Sequence, residues 1–203
     1  ITGGHGFERD QFFALFEGYD DLEYREAVQP EANNLYTSEA AETYDVIVLY
    51  DMVQEISEEQ KSNLIAQLEE GKGLVALHHC LASYQAWPEW RKIIGGQYFL
   101  EPWEKDGKEQ PPSAALDGQE VNVQIADPDH PITRGMEDFT IQDEVYGGYY
   151  VDPDVDVLLT TDHEKSTPEI GWCHTYGNSR VVYLQLGHDH LAYENQNYRT
   201  LII

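Results

Sequence analysis

Histidine side chains follow several apolar runs of this 203-residue chain, at the positions where strands would end. They are His5, His78, His79 and His188. In open α/β sheets, ligands bind beyond the carboxyl ends of the strands, so we expect these imidazoles to meet in one polar pocket. Glu144 is the clearest carboxylate to join them. Imidazole and carboxylate groups together suit either a divalent metal or acid–base chemistry.

These two chemistries use overlapping residues. A catalytic zinc ion takes about three protein ligands and leaves one position open, and the ligands would be His5, His78 and His188. Acid–base chemistry would instead use His78, Glu144 and His188, since histidine titrates near neutrality and burial raises the pKa of a glutamate. No H-E-x-x-H spacing is present to favour the metal, so both hypotheses stay open. His5 could also merely line a glycine turn, and His79 could be a core residue.

A strand–helix–strand unit must position part of this set. The apolar run 44–50 is rich in β-branched residues, which is typical of a buried strand. Ser57 and Gln60 form a capping box that predicts a helix start, and the run 74–77 predicts the next strand. Such a unit implies parallel pairing with a right-handed crossover.

The opening of the chain repeats this pattern. A strand end at 1–4 leads into a glycine turn and then into Phe12, Phe13 and Phe16 at helical spacing, with a second strand predicted at 22–28. The later part is richer in strands, which are predicted at 121–126, 157–161, 170–173 and 180–186. The polar stretch 102–112 predicts a surface excursion. Together these elements predict a single α/β domain over 1–203, with three layers and a mainly parallel, doubly wound sheet.

The charge balance limits the partners. With 38 acidic and 12 basic residues the formal net charge is −26, which would repel nucleic acid and anionic membranes. No apolar run is long enough for a membrane span. No G-x-G-x-x-G fingerprint follows a strand, so we expect no nucleotide cofactor. Both ends look cut from longer elements, and the sequence fits a cytoplasmic protein or a periplasmic one that has lost a signal peptide.

Six segments match the motifs of a known family in order. They are TGGH at 2–5, GKGLVALH at 71–78, GGQYF at 95–99, HPITRG at 130–135, DEVY at 143–146, and GNSRVVY continuing to GHD at 177–189. On these segments the chain resembles the bacterial ThuA-like family of trehalose utilisation, which is related in fold to class I glutamine amidotransferase domains. The resemblance implies a flavodoxin-like, three-layer fold. Departures at Glu101 and at 178–179 weaken any role for the loop near Pro102.

The resemblance also implies a function in carbohydrate metabolism. The substrate would be trehalose or a related disaccharide or keto-sugar, and any redox step would belong to a separate sugar oxidoreductase in the same pathway. A homo-oligomer is compatible with this role. The residues expected to contact the sugar are Gly4, His5, His79, Tyr146, Trp172 and Asp189. For Tyr146 and Trp172, packing in the core is an equal alternative.

In the related amidotransferases a cysteine nucleophile sits on a sharp strand-to-helix turn. The motif alignment places His78 at this turn and Cys80 two residues later, so thiol-dependent glutamine hydrolysis is not expected. The reactions that fit the pocket are hydrolysis, elimination or isomerisation of a sugar. A non-catalytic sugar-binding or sensing module on the same scaffold is the alternative, and an interaction subunit is a third possibility.

Overall fold

The computed structural model describes all 203 residues, and most of them belong to twelve strands and six α-helices. The strands are β1 (Thr2–Gly3), β2 (Val46–Asp51), β3 (Gly73–Leu77), β4 (Gly96–Gln97), β5 (Trp103–Lys105), β6 (Lys108–Gln110), β7 (Ala114–Ile125), β8 (Phe139–Gly147), β9 (Tyr150–Val151), β10 (Asp156–Thr161), β11 (Glu169–Tyr176) and β12 (Ser179–Leu184). The α-helices are α1 (Arg9–Phe13), α2 (Ser38–Ala41), α3 (Glu58–Glu69), α4 (Pro88–Ile94), α5 (His190–Tyr193) and α6 (Gln196–Ile202). Short 3₁₀ helices span Ala14–Phe16, Glu31–Tyr36 and His78–Ala82.

The main sheet has eight strands in the order β1-β2-β3-β12-β11-β10-β7-β8. The strands β1, β2, β3 and β12 pair in parallel, so their carboxyl ends share one edge. From β12 to β8 every pairing is antiparallel. The α/β class and the parallel strand–helix–strand unit predicted from the sequence are confirmed. The strand-rich character of the later part is the antiparallel half of this sheet.

Helices cover both faces of the sheet and bury two separate apolar clusters. The cluster on one face includes Phe12, Leu15, Tyr193, Tyr198 and Leu201. The cluster on the other face includes Leu64, Leu68, Trp90, Ile93 and Ile94. This arrangement gives the predicted three layers, because each helix buries one apolar stripe against the sheet between them.

The capping box predicted from the sequence starts α3. The Ser57 hydroxyl accepts from Gln60 N, and the Gln60 side chain accepts from Ser57 N, so two N–H groups that the helix leaves unpaired are satisfied. The helix ends at Glu69, and Gly71, with φ 98°, turns the chain into β3. The end of α3 therefore sets where β3 begins, and His78 follows at the carboxyl end of β3.

Two segments differ in detail from the sequence-based predictions. The segment 22–28 forms only an isolated bridge between Val28 and Thr2 rather than a strand. Its charged residues, among them Glu23, Arg25 and Glu26, are depleted from strands, and Val28 is exposed. The excursion 102–112 is on the surface as predicted, and it contains the hairpin β5–β6. None of the helices combines the length and the apolar character that crossing a membrane requires.

Candidate active site

His78 occupies a strained turn at the carboxyl end of β3. Its φ is 51°, a left-handed conformation that non-glycine residues adopt rarely and at a cost of about 1–3 kcal/mol. Its backbone carbonyl accepts a hydrogen bond from the Tyr183 hydroxyl at 2.9 Å, which helps to hold the turn. The residue therefore sits on the strand-to-helix elbow predicted from the sequence, with a 3₁₀ helix following it.

The imidazole of His78 is fixed in one tautomer. Its Nδ1 lies 2.6 Å from the carbonyl oxygen of Gln185, which can only accept, so Nδ1 carries a proton and donates it. In the neutral ring, Nε2 then carries the lone pair, which can accept from the Tyr146 hydroxyl at 2.8 Å. The side chain is 1% exposed, and Nε2 faces Glu144, His188 and Tyr146. This leaves a buried lone pair aimed into the site.

Three atoms from distant parts of the chain form a nearly equilateral triangle. His78 Nε2 lies 3.2 Å from Glu144 Oε2 and 3.2 Å from His188 Nδ1, and His188 Nδ1 lies 3.3 Å from the same Glu144 oxygen. The sheet produces this contact by curling. Although β8 is five places from β3 in strand order, it returns across the carboxyl end of β12, where Gln185 donates to the carbonyl of Glu144.

Asp143 fixes the position of the His188 loop. Its buried carboxylate accepts from Gly187 N at 2.7 Å and from His188 N at 2.9 Å, and it also accepts from Glu144 N at 2.8 Å. Asp143 lies in strand β8, where it holds the backbone while Glu144 faces the pocket. Adjacent strand residues point to opposite faces, so one carboxylate anchors and the next is free for chemistry.

Glu144 and His188 shift each other's pKa. Burial alone would raise the pKa of Glu144, but hydrogen bonds and charge from His188 and His78 outweigh burial and lower it. The hydrogen bond to Glu144 raises the pKa of His188 to about 9, although burial opposes this change. At neutral pH the metal-free site therefore holds a protonated His188 beside an ionised Glu144.

This pair gives the metal-free protein a defined pH dependence. The raised His188 pKa adds stability that is complete below about 6.5, its unfolded value, and is lost as the pH rises through about 9. The lowered Glu144 pKa adds stability that is complete above about 4.5 and is lost at lower pH. We expect the difference in Tm between wild type and Glu144→Gln, measured in EDTA, to be largest between about pH 4.5 and 6.5. A difference that stays constant from pH 4 to 9 would contradict the assignment.

His5 and His79 extend the site on one side. Their ring centroids lie 4.6 Å apart, and the His5 centroid lies 6.5 Å from that of His188. His79 is 4% exposed, and neither of its ring nitrogens has a partner in the protein. Burial, together with the neighbouring histidines, lowers the pKa of His79 to about 2, so the ring is neutral. A buried neutral imidazole with a free donor and a free acceptor is suited to a polar ligand group.

Of the other residues predicted to contact the sugar, Gly4 and Tyr146 support or line the site. Asp189 and Trp172 have structural contacts instead. Gly4, with φ 74°, lets the loop carrying His5 pass close to the Met52 backbone, because a Cβ at this position would lie only 2.7 Å from Met52 backbone atoms. The Tyr146 hydroxyl lies 2.8 Å from His78 Nε2, inside the site. Asp189 caps α5 by accepting from Leu191 N. Trp172 lies in the core rather than in the site, fully buried with its Nε1 donating to the carbonyl of Ile94, because β11 is an interior strand.

The structure also fixes which histidines converge as potential ligands. His78, Glu144 and His188 offer one atom each within 4.8 Å of one another, and His5 is not in this group. The metal set predicted from the sequence therefore changes, with Glu144 in the place of His5. The reason is that the curl of the sheet brings Glu144 on β8 against both His78 and His188, a contact that the spacing of the histidines does not reveal.

Three further residues support the site and were not identified from the sequence. The carbonyl of Gln185 orients His78. A β-bulge between Leu116 and Gln119 aims Asp117 at His188, with 3.9 Å between Oδ1 and Nε2. Tyr98 packs its ring edge-on against Tyr146 at 5.2 Å. Gln185 and Tyr98 lie inside matched segments and Asp117 does not, and all three contacts join residues that are far apart in the sequence, so they depend on tertiary packing.

Cys80 cannot act as a nucleophile in this arrangement. It is fully buried, and its Sγ lies 3.4 Å from Asp51 Oδ1 and accepts from Asp51 N. Burial raises the pKa of its thiol well above the usual value, so the reactive thiolate is disfavoured. His78, not Cys80, stands at the elbow, as the sequence predicts.

The donor set fits a divalent ion such as zinc. Ligand atoms bound to a tetrahedral zinc at about 2.0–2.2 Å lie about 3.3–3.6 Å apart, and the triangle has edges of 3.2–3.3 Å. The outer contacts also fit, because a metal-binding histidine usually donates its other N–H to a carbonyl or carboxylate. Gln185 serves His78 in this way, and Asp117 lies towards the outer nitrogen of His188.

These features define a class of protein: an α/β domain with a buried histidine–glutamate site beyond the carboxyl edge of its parallel strands. The family model described as ThuA, trehalose utilisation, matches residues 12–203. The chain therefore belongs to the ThuA family, which gives it a carbohydrate-related role. No curated protein matches the chain in sequence.

Solved structures share this fold at low sequence identity. A ThuA-like protein from Parabacteroides merdae is 20% identical with a TM-score of 0.78, and the match covers 100% of this chain and 85% of that one. A ThuA-like protein from Bacteroides uniformis is 20% identical with a TM-score of 0.70, covering 100% and 86%. A β-galactosidase from Bacillus circulans is 10% identical with a TM-score of 0.58, and the match covers 95% of this chain but 25% of that enzyme.

Proposed function

We propose that this chain binds a divalent ion such as zinc through His78, Glu144 and His188 and catalyses hydrolysis, elimination or isomerisation of a sugar. The sugar would be trehalose or a related disaccharide or keto-sugar, in line with the family description. The observation that carries the proposal is the triangle of 3.2–3.3 Å formed by one atom of each residue. Three lone-pair-bearing atoms this close need a proton or a cation between them.

A bound divalent ion would supply Lewis-acid polarisation of a sugar oxygen. The protein's own groups would do the rest. With Oε2 committed to the ion, the other carboxylate oxygen of Glu144 would accept a proton from a hydroxyl or from a carbon beside a carbonyl, because the carboxylate is ionised at neutral pH and only partly exposed. The Tyr146 hydroxyl oxygen lies 2.8 Å from His78 Nε2, and burial raises the pKa of this phenol, so it keeps its proton. The anchor from Asp143 keeps Glu144 and the His188 loop in register.

His79 and His5 would bind the hydroxyl groups of the sugar. A sugar hydroxyl both donates and accepts, which matches the free donor and free acceptor of the neutral His79 ring. An unpaired buried polar group costs about 1–3 kcal/mol, and a bound hydroxyl would remove that cost. Glutamine hydrolysis is not proposed, because the elbow carries an imidazole and Cys80 is sealed in the core. A separate sugar oxidoreductase would produce any keto-sugar substrate.

A non-catalytic sugar-binding module is the second candidate. It is favoured by one observation, the recurrence of this fold as about a quarter of a β-galactosidase chain. The two candidates differ in one measurable respect: a binding module needs the pocket but not the proton acceptor. For a binding module, Glu144→Gln should bind the sugar as tightly as the wild type does, and neither protein should turn it over.

The test combines metal analysis with turnover. Protein purified without a metal-affinity tag should contain close to one zinc or similar ion per chain, or take one up on titration. The zinc-loaded wild type should turn over at least one member of a panel of disaccharides and their keto derivatives, and Glu144→Gln should lower kcat by about 10²–10⁴-fold. Absence of metal uptake with turnover intact would refute the metal assignment, and binding without turnover would support the module.

A further inference from the structure

The loop between β4 and β5 fixes Tyr98 beside the site. Its backbone N–H donates to the carbonyl of Leu81 at 2.9 Å, and its own carbonyl accepts from the Gln85 side chain at 2.7 Å. Both partners lie on or just after the 3₁₀ helix that begins at His78. These two hydrogen bonds hold the backbone of Tyr98 against the turn that carries His78.

The side chain of Tyr98 packs towards the reacting groups. Its ring meets the ring of Tyr146 edge-on at 5.2 Å, and Tyr146 in turn bonds to His78. The negative charge of Glu144 adds to burial in raising the pKa of Tyr98, which places the phenol in the field of that carboxylate. Tyr98 remains a neutral donor at physiological pH.

The hydroxyl of Tyr98 differs from the other phenols around it. The hydroxyls of Tyr50, Tyr146, Tyr149 and Tyr183 each have a partner in the protein. Tyr36 and Tyr198 have none, but their hydroxyls are sealed from solvent inside the core. The Tyr98 residue is only partly buried, and its hydroxyl makes no hydrogen bond within the protein. Tyr98 is therefore a partly exposed phenol beside the site whose hydroxyl has no partner in the protein.

We propose that Tyr98 is a sugar-binding residue whose hydroxyl donates a hydrogen bond to an oxygen of the sugar held beside Glu144. The inference rests on the proposed function, because it takes the ligand to be a sugar. It adds a substrate contact that lies outside the metal triangle. The oxygen it meets must accept, so a hydroxyl, a ring oxygen or a keto oxygen qualifies.

The expected effect is specific to sugar binding. Deleting a hydroxyl that has no protein partner leaves nothing unsatisfied in the fold, so Tyr98→Phe should keep its Tm. A net hydrogen bond of about 0.5–1.5 kcal/mol corresponds to a loss of sugar affinity of about 2- to 12-fold. Zinc affinity should change by less than about twofold, because the hydroxyl is not among the three ligand atoms.

The experiment measures sugar binding to zinc-loaded protein by calorimetry, with trehalose, sucrose, maltose and their keto derivatives as probes. Tyr24→Phe is the matched control, since Tyr24 also has a hydroxyl without a protein partner but stacks on Phe13, away from the site. We expect weaker binding in Tyr98→Phe alone. Equal affinity in wild type and Tyr98→Phe would overturn the inference while leaving the proposed function intact.

Two other outcomes are also decisive. Parallel loss of zinc and sugar affinity in Tyr98→Phe would show that Tyr98 acts through the metal site, and would overturn the role as a direct sugar contact. Failure of the wild type to bind any sugar of the panel would count against the proposed function itself, and the inference would fall with it. Zinc uptake measured in the same samples separates that failure from loss of the metal site.

Discussion

His78→Ala should weaken zinc binding by at least about 100-fold. Loss of an outer partner of a metal ligand typically costs 10–100-fold in affinity, and His78 is itself a ligand in the proposed site. It is also the best oriented of the three, because its Nδ1 proton is committed to Gln185 and its side chain is 1% exposed. The measurement is competitive titration with a chromophoric zinc chelator at pH 7.

His163→Ala is the matched control, because His163 lies on the loop after β10 and accepts from the backbone of Lys165 rather than facing the site. Its zinc affinity should equal that of the wild type. His78→Gly serves as a second variant, since glycine adopts φ 51° without strain and separates loss of the ligand from distortion of the turn. Wild-type zinc affinity in both His78 variants would show that the metal, if bound, lies elsewhere.

Asp143→Ala should destabilise the metal-free protein by roughly 3–6 kcal/mol. The carboxylate satisfies three backbone N–H groups around the site, and a buried donor left without a partner costs about 1–3 kcal/mol. Such a loss is a large part of the stability of an ordinary domain. It should also release the loop that carries His188, so zinc affinity should fall in the folded fraction.

Urea unfolding in EDTA measures this prediction. Asp138→Ala is the control, since Asp138 accepts a single N–H, that of Ile125, at an exposed position, and its loss should cost at most about 1 kcal/mol. The free energy of unfolding of Asp143→Asn should lie between those of Asp143→Ala and Asp138→Ala. The asparagine oxygen can still accept from His188 N and Glu144 N, but its NH₂ group faces Gly187 N, and two donors cannot bond to each other. A loss below about 1 kcal/mol in Asp143→Ala would rule out Asp143 as the anchor.

Much of the fold could be read from the sequence because its signals are local. The β-branched run before Asp51, the Ser57 capping box and the run ending at Leu77 depend on residues a few positions apart. They predict parallel strands, and parallel strands bring the residues at their carboxyl ends to one edge. This argument identified His78 and His188 as site residues, and the motif around Asp143 added Glu144.

The arrangement of the site was decided only by the tertiary structure. Gln185 orients His78 across 107 positions of sequence, and Glu144 reaches both histidines only because the sheet curls. The same packing buries Trp172 in the core. Local patterns fix which faces are apolar and where strands end, because those depend on short-range propensity and periodicity. Distances between side chains depend on strand order and curvature, which arise when the two apolar clusters pack together. The sequence therefore indicated which side chains were candidates for the site, and only the packing showed that Glu144, not His5, lies within reach of both His78 and His188.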